Sequence, residues 1–435
     1  MQRFAAVLLL LCNGIAATSA HAADQTVPGA GNRRAIETAH ASAQVQRALQ
    51  FLVARARRIG DAKLRQETLD ILTHDQVCIR HRDGLTEAQK DEVVAELIRQ
   101  KLVNPADAAR IPVPPNSPAN AQVKAGVFPP ESRAEGKACA LAPLPYGAAP
   151  GSTYAGHHPY PGGLALHAAF NTRTAEGLAR SYREMYGTGG ESLGIDPDIV
   201  VAAPMWHDWA KTFVFQWNAD GTEFSELPLG GFGPRTDGTD DAIEGSKGAD
   251  SRTGGHHILG VAEAMARGLS PEMVVAQASA HSKPTLDEYK VVNWLRTAAI
   301  IARVDPVARG YLKPDLKGAL RLPPLRKLGD GLDLDGPPLG ETNLLVEYTI
   351  NSLSDSDLNF TIPAADDAVF ILEKLGPEFG YAPAVQGEDP TRFNTRYRNV
   401  ALSQLSGERI LLLYAEKGLG AVRRELAELR RRKLL

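Results

Sequence analysis

The sequence has little cysteine, little net charge and no long apolar run beyond its first residues, and each shortage narrows the range of functions. The formal net charge is −3 over 435 residues, which argues against a strongly basic surface, and we expect no specific nucleic-acid partner. After the first residues, no stretch approaches the ~20 consecutive apolar residues of a membrane-spanning helix, so we expect no transmembrane segment in the mature protein. The hydrophobic content of 43% and the charged content of 23% are typical of a soluble globular protein.

Residues 1–22 have the pattern of a secretory signal peptide. Arg3 provides the positive start, residues 5–11 form a short apolar core, and Ala20-His21-Ala22 is a small-residue cleavage site. A lipoprotein signal at Cys12 is disfavoured because Leu11 precedes it, where a small residue is expected. We therefore predict cleavage near Ala22 and a secreted or periplasmic location.

Two cysteines, Cys78 and Cys139, remain once the signal is removed. In an oxidising compartment a pair of cysteines is the number needed for one disulfide, and we predict that they form it. Two buried free thiols are the alternative. Neither cysteine is near a candidate ligand histidine in the sequence, so we do not count them as metal ligands.

The composition divides the mature chain into four regions. Residues 23–110 are predicted to be an N-terminal helical region. Residues 111–150 are rich in proline, alanine and glycine, which is typical of a linker or an extended arm on the surface. Residues 151–312 are mostly helical by periodicity and hold seven of the eleven histidines. Residues 313–435 are predicted to be mainly helical, with an arginine-rich last helix.

An insertion interrupts the helical pattern between residues 212 and 255. The pattern over 212–217, the Asp-Gly turn that ends at Gly221 and the short run 222–224 predict a β-hairpin. A glycine- and aspartate-rich loop follows over residues 230–255. Its aspartates could bind calcium, but a solvated acidic loop is favoured because the ordered oxygen-ligand loop of a calcium site is missing; they are Asp237, Asp240 and Asp241. Its cations could contact an anionic substrate, although exposed solvation is favoured; they are Arg235, Lys247 and Arg252.

The histidines of residues 151–312 fall near the ends of successive predicted helices, each with its own local signal. Asp196 before Pro197, for example, is a good N-cap and first-residue pair. A hydrolytic metal site needs imidazole and carboxylate ligands on rigid elements, with one position open for water. A helical bundle can bring such side chains to one internal point. The candidate ligands are His167, His207, Asp208, His256, His281 and Asp305.

The segments around these residues resemble, in order, the motifs of the HD phosphohydrolase superfamily. Residues 204–211 resemble the motif that names it, apolar residues followed by His-Asp-x-x-Lys. Residues 160–167 resemble the segment with the first histidine, and residues 255–260 resemble the third motif, in which a histidine precedes a glycine by four positions. Ala280-His281 and the segment 300–305 match the remaining positions. The resemblance covers residues 151–312.

The resemblance implies a mainly α fold, an HD-type helical bundle with a β-hairpin and loop insertion, flanked by helical regions. It implies that His167, His207, Asp208 and Asp305 hold one divalent metal ion. His256 and His281 match the additional pair of two-metal members, with Asp208 bridging. His256 is preferred to His257 because of its spacing to Gly260. The metal ions expected for such a centre are Mn, Fe, Ni or Mg.

The same resemblance implies an exported metal-dependent phosphohydrolase that acts on a small, nucleotide-like phosphoester. Asp208 and Lys211 are the candidate catalytic residues, since the lysine can hold a phosphate oxygen near the metals. A degenerate HD-fold binding or scaffold protein and a di-iron oxygenase are the alternatives. Pro204, Trp209 and the long insertion depart from the pattern of the family. The candidate substrate-binding residues are Lys211, His158, His257 and Arg252.

Overall fold

The computed structural model describes residues 27–133, 139–189, 191–232, 250–282, 287–323, 345–385 and 389–435. This part of the chain is mainly helical, which confirms the predicted mainly α fold. The predicted signal peptide lies outside the described residues, as do Asp237, Asp240, Asp241, Arg235 and Lys247. None of the described helices is long and apolar enough to cross a membrane.

The elements follow one another along the chain with short connections in most places. The α-helices are α1 (Asn32–His40), α2 (Ala43–Ala56), α3 (Ala62–Thr73), α4 (Glu87–Arg99), α5 (Ala121–Val127), α6 (Gly163–Tyr186), α7 (Pro197–Trp206), α8 (Lys211–Val214), α9 (Gly255–Ala266), α10 (Pro271–Ala278), α11 (Glu288–Ala302), α12 (Val346–Ser354), α13 (Leu358–Leu375), α14 (Thr391–Phe393), α15 (Asn399–Leu405), α16 (Gly407–Lys417) and α17 (Leu419–Arg431). Short 3₁₀ helices cover Arg80–Arg82, Pro105–Arg110, Ser279–His281, Asp355–Asp357 and Gly376–Phe379, and a π-helix covers Asn394–Arg398. Strands β1 (Lys313–Pro314) and β2 (Leu320–Arg321) pair antiparallel.

The N-terminal helices and the histidine-bearing helices share one hydrophobic core. Leu52 of α2 and Leu97 of α4 are fully buried in the same cluster as Trp206 of α7 and Ile258 of α9. Helix α2 packs against α6, and α4 packs against α11. The N-terminal region therefore supports the helices that carry the histidines.

Residues 141–149 differ from the surface arm that their composition predicted. Leu141, Leu144 and Tyr146 are buried, and the Tyr146 hydroxyl donates a 2.9 Å hydrogen bond to the carbonyl of Met205. An irregular segment can enter a core when its polar groups find such partners. The segment therefore packs directly beneath the end of α7.

A disulfide joins Cys78 and Cys139, as predicted, with their Cα atoms 5.6 Å apart. The adjacent backbone supports it, because Cys78 also pairs with Leu141 in an isolated antiparallel bridge. The bond closes a loop over a sequence separation of 61 residues. It therefore links the region after α3 to the buried segment that follows α5.

The hairpin is shorter than predicted, and the residues predicted to begin its first strand form a helix instead. Residues 211–214 form helix α8, and the antiparallel pairing is limited to a bridge between Trp217 and Glu223. Gly221 takes a positive φ of 83°, which fits the predicted turn. A short apolar run that is buried on all sides can be read as a strand or as a helix, and here the helical turn forms.

The C-terminal helices form a second hydrophobic cluster, which confirms the predicted helical character of this region. Leu372 of α13, Val422 and Leu426 of α17 are fully buried in it, and Tyr160 from the loop before α6 joins them. Helix α13 packs against α16. Helix α12 instead packs against α6 and α7, which brings the start of the C-terminal region to the histidines.

Candidate metal centre

Four histidines and two aspartates from separate helix ends converge at one buried point. His167 lies in the second turn of α6, His207 directly follows α7, and His256 is the second residue of α9. His281 ends the 3₁₀ helix after α10, and Asp355 begins the one after α12. Each histidine is therefore at the helix position that the sequence predicted.

The first part of this cluster, which we call the inner half, consists of His167 and His207. The Nε2 atom of His167 lies 3.2 Å from Oδ2 of Asp208 and 3.0 Å from Oδ1 of Asp355. The Nε2 atom of His207 lies 3.2 Å and 3.4 Å from the same two oxygens. Both histidines are completely buried. Ligand atoms of His167, His207 and Asp208 lie within 4.8 Å of one another, which is close enough to hold a metal ion.

The second part, which we call the outer half, consists of His256 and His281. The Nε2 atom of His256 lies 3.2 Å from Oδ1 of Asp208, and the Nε2 atom of His281 lies 3.7 Å from Oδ2 of Asp355. These imidazoles have side-chain exposures of 10% and 24%. Asp208 and Asp355 thus each direct one oxygen to the inner half and the other to the outer half.

Hydrogen bonds at the opposite ring nitrogens aim several imidazoles at the cluster. The Nδ1 of His207 donates to the carbonyl of Pro204 at 2.9 Å, and the Nδ1 of His256 donates to Oε2 of Glu226 at 2.7 Å. A metal-binding histidine usually makes such a bond through its other nitrogen, which fixes the ring and the tautomer. Pro204 therefore orients His207 at the end of α7.

Asp305 is not brought to this cluster, and Asp355 stands where it was expected. Asp305 is exposed after α11, and its Oδ1 accepts hydrogen bonds from the backbone N–H groups of Val307 and Ala308. Asp305 therefore caps the turn that follows α11. The prediction that Asp305 is a ligand was wrong. A second aspartate, Asp355, also follows a helix end, and its helix α12 is the one that packs on α6.

Lys211 lies inside the cluster as predicted. Its ammonium group donates hydrogen bonds to Oδ2 of Asp208 and to the carbonyl of Gly151, and only 2% of the residue is exposed. Lys211 also lines a cavity of about 680 Å³ that opens beside the outer half. Further residues on this cavity are Ser152, His157, His256, His281, Lys290 and Ser352.

The other predicted substrate contacts do not line this cavity. His257 is fully buried, its Nε2 donates to the carbonyl of Ala278, and its ring stacks on His281. His158 is 5% exposed and lies behind His167. Arg252 forms ion pairs with Asp107 and Asp250.

Burial and the neighbouring charges shift the pKa values of the residues in this cluster in different directions. Burial opposes charge on His207, but Asp208 and Asp355 outweigh burial and raise the pKa of His207 to about 10. Burial also opposes charge on Asp208, yet its pKa falls well below its usual range because His207 and Lys211 lie beside it. In the outer half, burial lowers the pKa of His281 to about 4, so this imidazole is neutral at neutral pH.

The donor set fits a divalent transition metal. Imidazole nitrogens and carboxylate oxygens suit Mn, Fe, Ni and Zn, and here they face a common point, with the second ring nitrogens of His207 and His256 already bonded. Glu226 and Asp355 belong to the site and were not recognised from the sequence. The spacing of Glu226 from the histidine motifs carried no signal, whereas Asp355 follows an apolar helix, as does Asp305.

Searches of protein-family models, curated proteins and solved structures found no match to this chain. The buried cluster of histidines and aspartates, which can hold metal ions, is therefore the feature of this chain that bears on its function.

Proposed function

We propose that this protein is a metal-dependent phosphohydrolase with two divalent metal ions, similar in its centre to HD-type enzymes. The observation that carries the proposal is the arrangement of Asp208 and Asp355 between two histidine pairs, beside an open cavity. His167 and His207 would hold one metal, and His256 and His281 the other. When bound, such ions lower the pKa of a coordinated water and withdraw charge from a phosphoryl oxygen.

The residues of the chain have distinct tasks in this proposal. Asp208 and Asp355 each contact both halves, so they set the separation of the two metal positions. Glu226 holds the ring of His256 by a 2.7 Å hydrogen bond and increases its basicity. Lys211, which already faces Asp208, places a fixed positive charge where the cavity meets the cluster and would attract a phosphoryl oxygen.

The cavity supports a small phosphorylated substrate. Its volume of about 680 Å³ lies within the ~300–1,000 Å³ of ordinary small-molecule sites. The hydroxyl groups of Ser152, Ser282, Ser352 and Ser356 line it and can bond to sugar or phosphate oxygens. A nucleotide-like phosphoester is the substrate class that we propose.

The test is to measure metal content and hydrolysis of a phosphoester panel for the wild type, Asp208→Ala and Asp305→Ala. Asp208→Ala should lose bound metal and lower hydrolysis by ~100-fold or more, because the metals supply several kcal/mol to the transition state. Asp305→Ala is the matched control, since Asp305 is exposed and bonded only to a neighbouring turn. It should retain both metal and activity.

The possible outcomes separate the alternative functions. A folded wild-type protein that binds no added manganese, iron or nickel and hydrolyses nothing would contradict the proposal and favour a binding protein. Metal-loaded protein that consumes oxygen without hydrolysing phosphoesters would favour oxygenase chemistry. Hydrolysis that persists in Asp208→Ala would place the reaction elsewhere on the molecule.

A further inference from the structure

A second group of polar side chains lies around His167, next to the inner half. It contains four buried atoms that have no hydrogen-bond partner in the described part of the chain. These are the Tyr160 hydroxyl, Nδ1 of His167, Oδ1 of Asp357 and Oε1 of Glu408. Buried polar groups are nearly always bonded, so several unpartnered atoms in one place indicate that something binds there.

Two adjacent histidines complete this group. His157 and His158 are 8% and 5% exposed, and their Nδ1 atoms lie 3.3 Å apart. The Nε2 of His158 lies 3.6 Å from Oε1 of Glu408. One ligand atom each from His157, His158 and His167 lie within 4.8 Å of one another.

The backbone is built to hold His158 in this position. His158 has a φ of +50°, a left-handed conformation that costs a non-glycine residue energy. Two glycines make room for His158. A Cβ atom on Gly163 would lie 2.0 Å from the carbonyl oxygen of His158, and a Cβ atom on Gly151 would lie 2.6 Å from the Cβ of His158. Such strain is typical of sites where the position of a side chain has a function.

The charges of the group also call for a cation. Asp357 and Glu408 have side-chain exposures of only 10% and 19%. Within the described residues their ion-pair partners are histidines, and no lysine or arginine forms an ion pair with either. Buried carboxylates are costly unless a positive charge or metal compensates them.

We propose that His157, His158 and Nδ1 of His167 form a third metal site, distinct from the two halves of the main centre. Asp357 lies beside it, 3.9 Å from Nδ1 of His167, and Glu408 neutralises charge from the His158 side. Three imidazoles select a transition metal such as Zn, Fe or Ni over Mg or Ca. The third site shares His167 with the proposed hydrolytic centre, so this inference rests on the proposed function through that one residue.

The His167 nitrogens divide between the two sites. Nε2 faces Asp208 and Asp355, so Nδ1 is the atom left for the third metal. Use of both nitrogens requires the imidazole to release its remaining N–H proton to solvent, one proton more than a histidine that binds a metal through a single nitrogen. The third metal would thereby fix the ring of His167 relative to the inner half.

The test is to count the metal ions bound by the full chain after loading with Zn²⁺ and removal of the excess. The wild type should bind three equivalents, and His158→Gln should bind two, because His158 is not among the proposed ligands of either half of the main centre. His40→Gln, which changes an exposed histidine on α1, is the control and should bind three. A crystal of the zinc-loaded wild type should show an anomalous-scattering peak between His157, His158 and His167.

A second variant keeps the test decisive if His158→Gln does not fold. Asp357→Asn should weaken the third site while leaving the main centre intact, visible as loss of one set of bands when Co²⁺ replaces zinc. Equal metal counts in the wild type and His158→Gln, with no third anomalous peak, would overturn the third site even if phosphoester hydrolysis were normal. A wild type that binds no metal at all would overturn both proposals.

Discussion

Two buried networks of histidine and carboxylate groups can be compared in this molecule. One is the candidate metal centre around Asp208 and Asp355, called the metal centre below. The other, which we call the Glu263 network, joins Glu263 of α9 and Arg267, which directly follows α9, to His81 of the N-terminal region. Both are buried and both contain the residue types that bind metals.

In the Glu263 network, both carboxylate oxygens of Glu263 accept hydrogen bonds from donors. Oε1 of Glu263 accepts from the backbone N–H of Arg80 at 3.0 Å and from Nε of Arg267 at 2.7 Å, while Oε2 accepts from the backbone and Nδ1 of His81. Arg267 also donates to Glu67, Asp70 and the carbonyl of Cys78. A guanidinium supplies the positive charge, so this network holds the N-terminal region to α9 without a metal.

In the metal centre, ring nitrogens instead compete for the same oxygens. The Nε2 atoms of His167 and His207 lie 3.3 Å apart, and both face Asp208 and Asp355. Four imidazoles around two carboxylates are poor hydrogen-bond partners for one another but are good ligands for cations. Convergence of imidazole nitrogens, more than burial of a histidine beside a carboxylate, therefore makes a cluster able to hold a metal ion.

The largest expected effect comes from Glu263→Gln. Burial opposes charge on Glu263, but His81 and Arg267 outweigh it and lower the pKa of Glu263 from 4.5 to about 2. A depressed carboxyl pKa stabilises the folded state above the unfolded pKa, and this contribution is lost as the pH falls through the folded pKa. The shift in the pKa of Glu263 contributes about 3 kcal/mol to the free energy of unfolding at neutral pH, and Glu263→Gln should lose this contribution. Urea unfolding of both proteins between pH 7 and pH 2 would measure it.

The pH profile distinguishes this effect from ordinary loss of packing. The difference in the free energy of unfolding between wild type and Glu263→Gln should be largest above pH 4.5 and should disappear as the pH approaches 2. Glu416→Gln changes an exposed glutamate and should shift stability by less than about 0.5 kcal/mol. A gap that stays constant across this range would contradict the charge-based account.

Chelation should have the next largest effect, and it should act on the proposed metal sites but not on the Glu263 network. Metal present at 100 times its dissociation constant stabilises the folded state by about 2.7 kcal/mol, and a chelator removes this increment. Glu263→Gln should retain the increment, while Asp208→Ala should lose the part that the main centre contributes. Unfolding curves with and without chelator test both variants, and equal chelator sensitivity in Asp208→Ala would contradict the assignment.

The smallest effect is expected for Glu226→Gln, which changes the acceptor for the backbone N–H and the Nδ1 of His256. Loss of such an outer partner weakens metal affinity by ~10–100-fold, or about 1.4–2.7 kcal/mol. Competition with a coloured chelator would measure the affinity of the weaker metal position. Glu92→Gln, an exposed glutamate on α4, is the control. Unchanged affinity in Glu226→Gln would show that the contact does not tune a metal.

Local sequence patterns predicted much of the metal centre. The Asp196-Pro197 pair begins α7 as expected, with Oδ1 of Asp196 accepting from the N–H groups of Asp198 and Ile199. His207 and Asp208 therefore follow at the end of that helix. The hairpin was less predictable, because a buried apolar run favours a strand or a helix equally until its neighbours are known.

The sequence by itself determined which histidines stand at helix ends, because caps and apolar periodicity act over a few residues. Only the tertiary structure decided which aspartate completes the centre. Asp305 and Asp355 each follow a helix, but α12 packs against α6 and α7 whereas the turn after α11 faces solvent. Packing between helices distant in sequence makes that choice, and no local pattern records it.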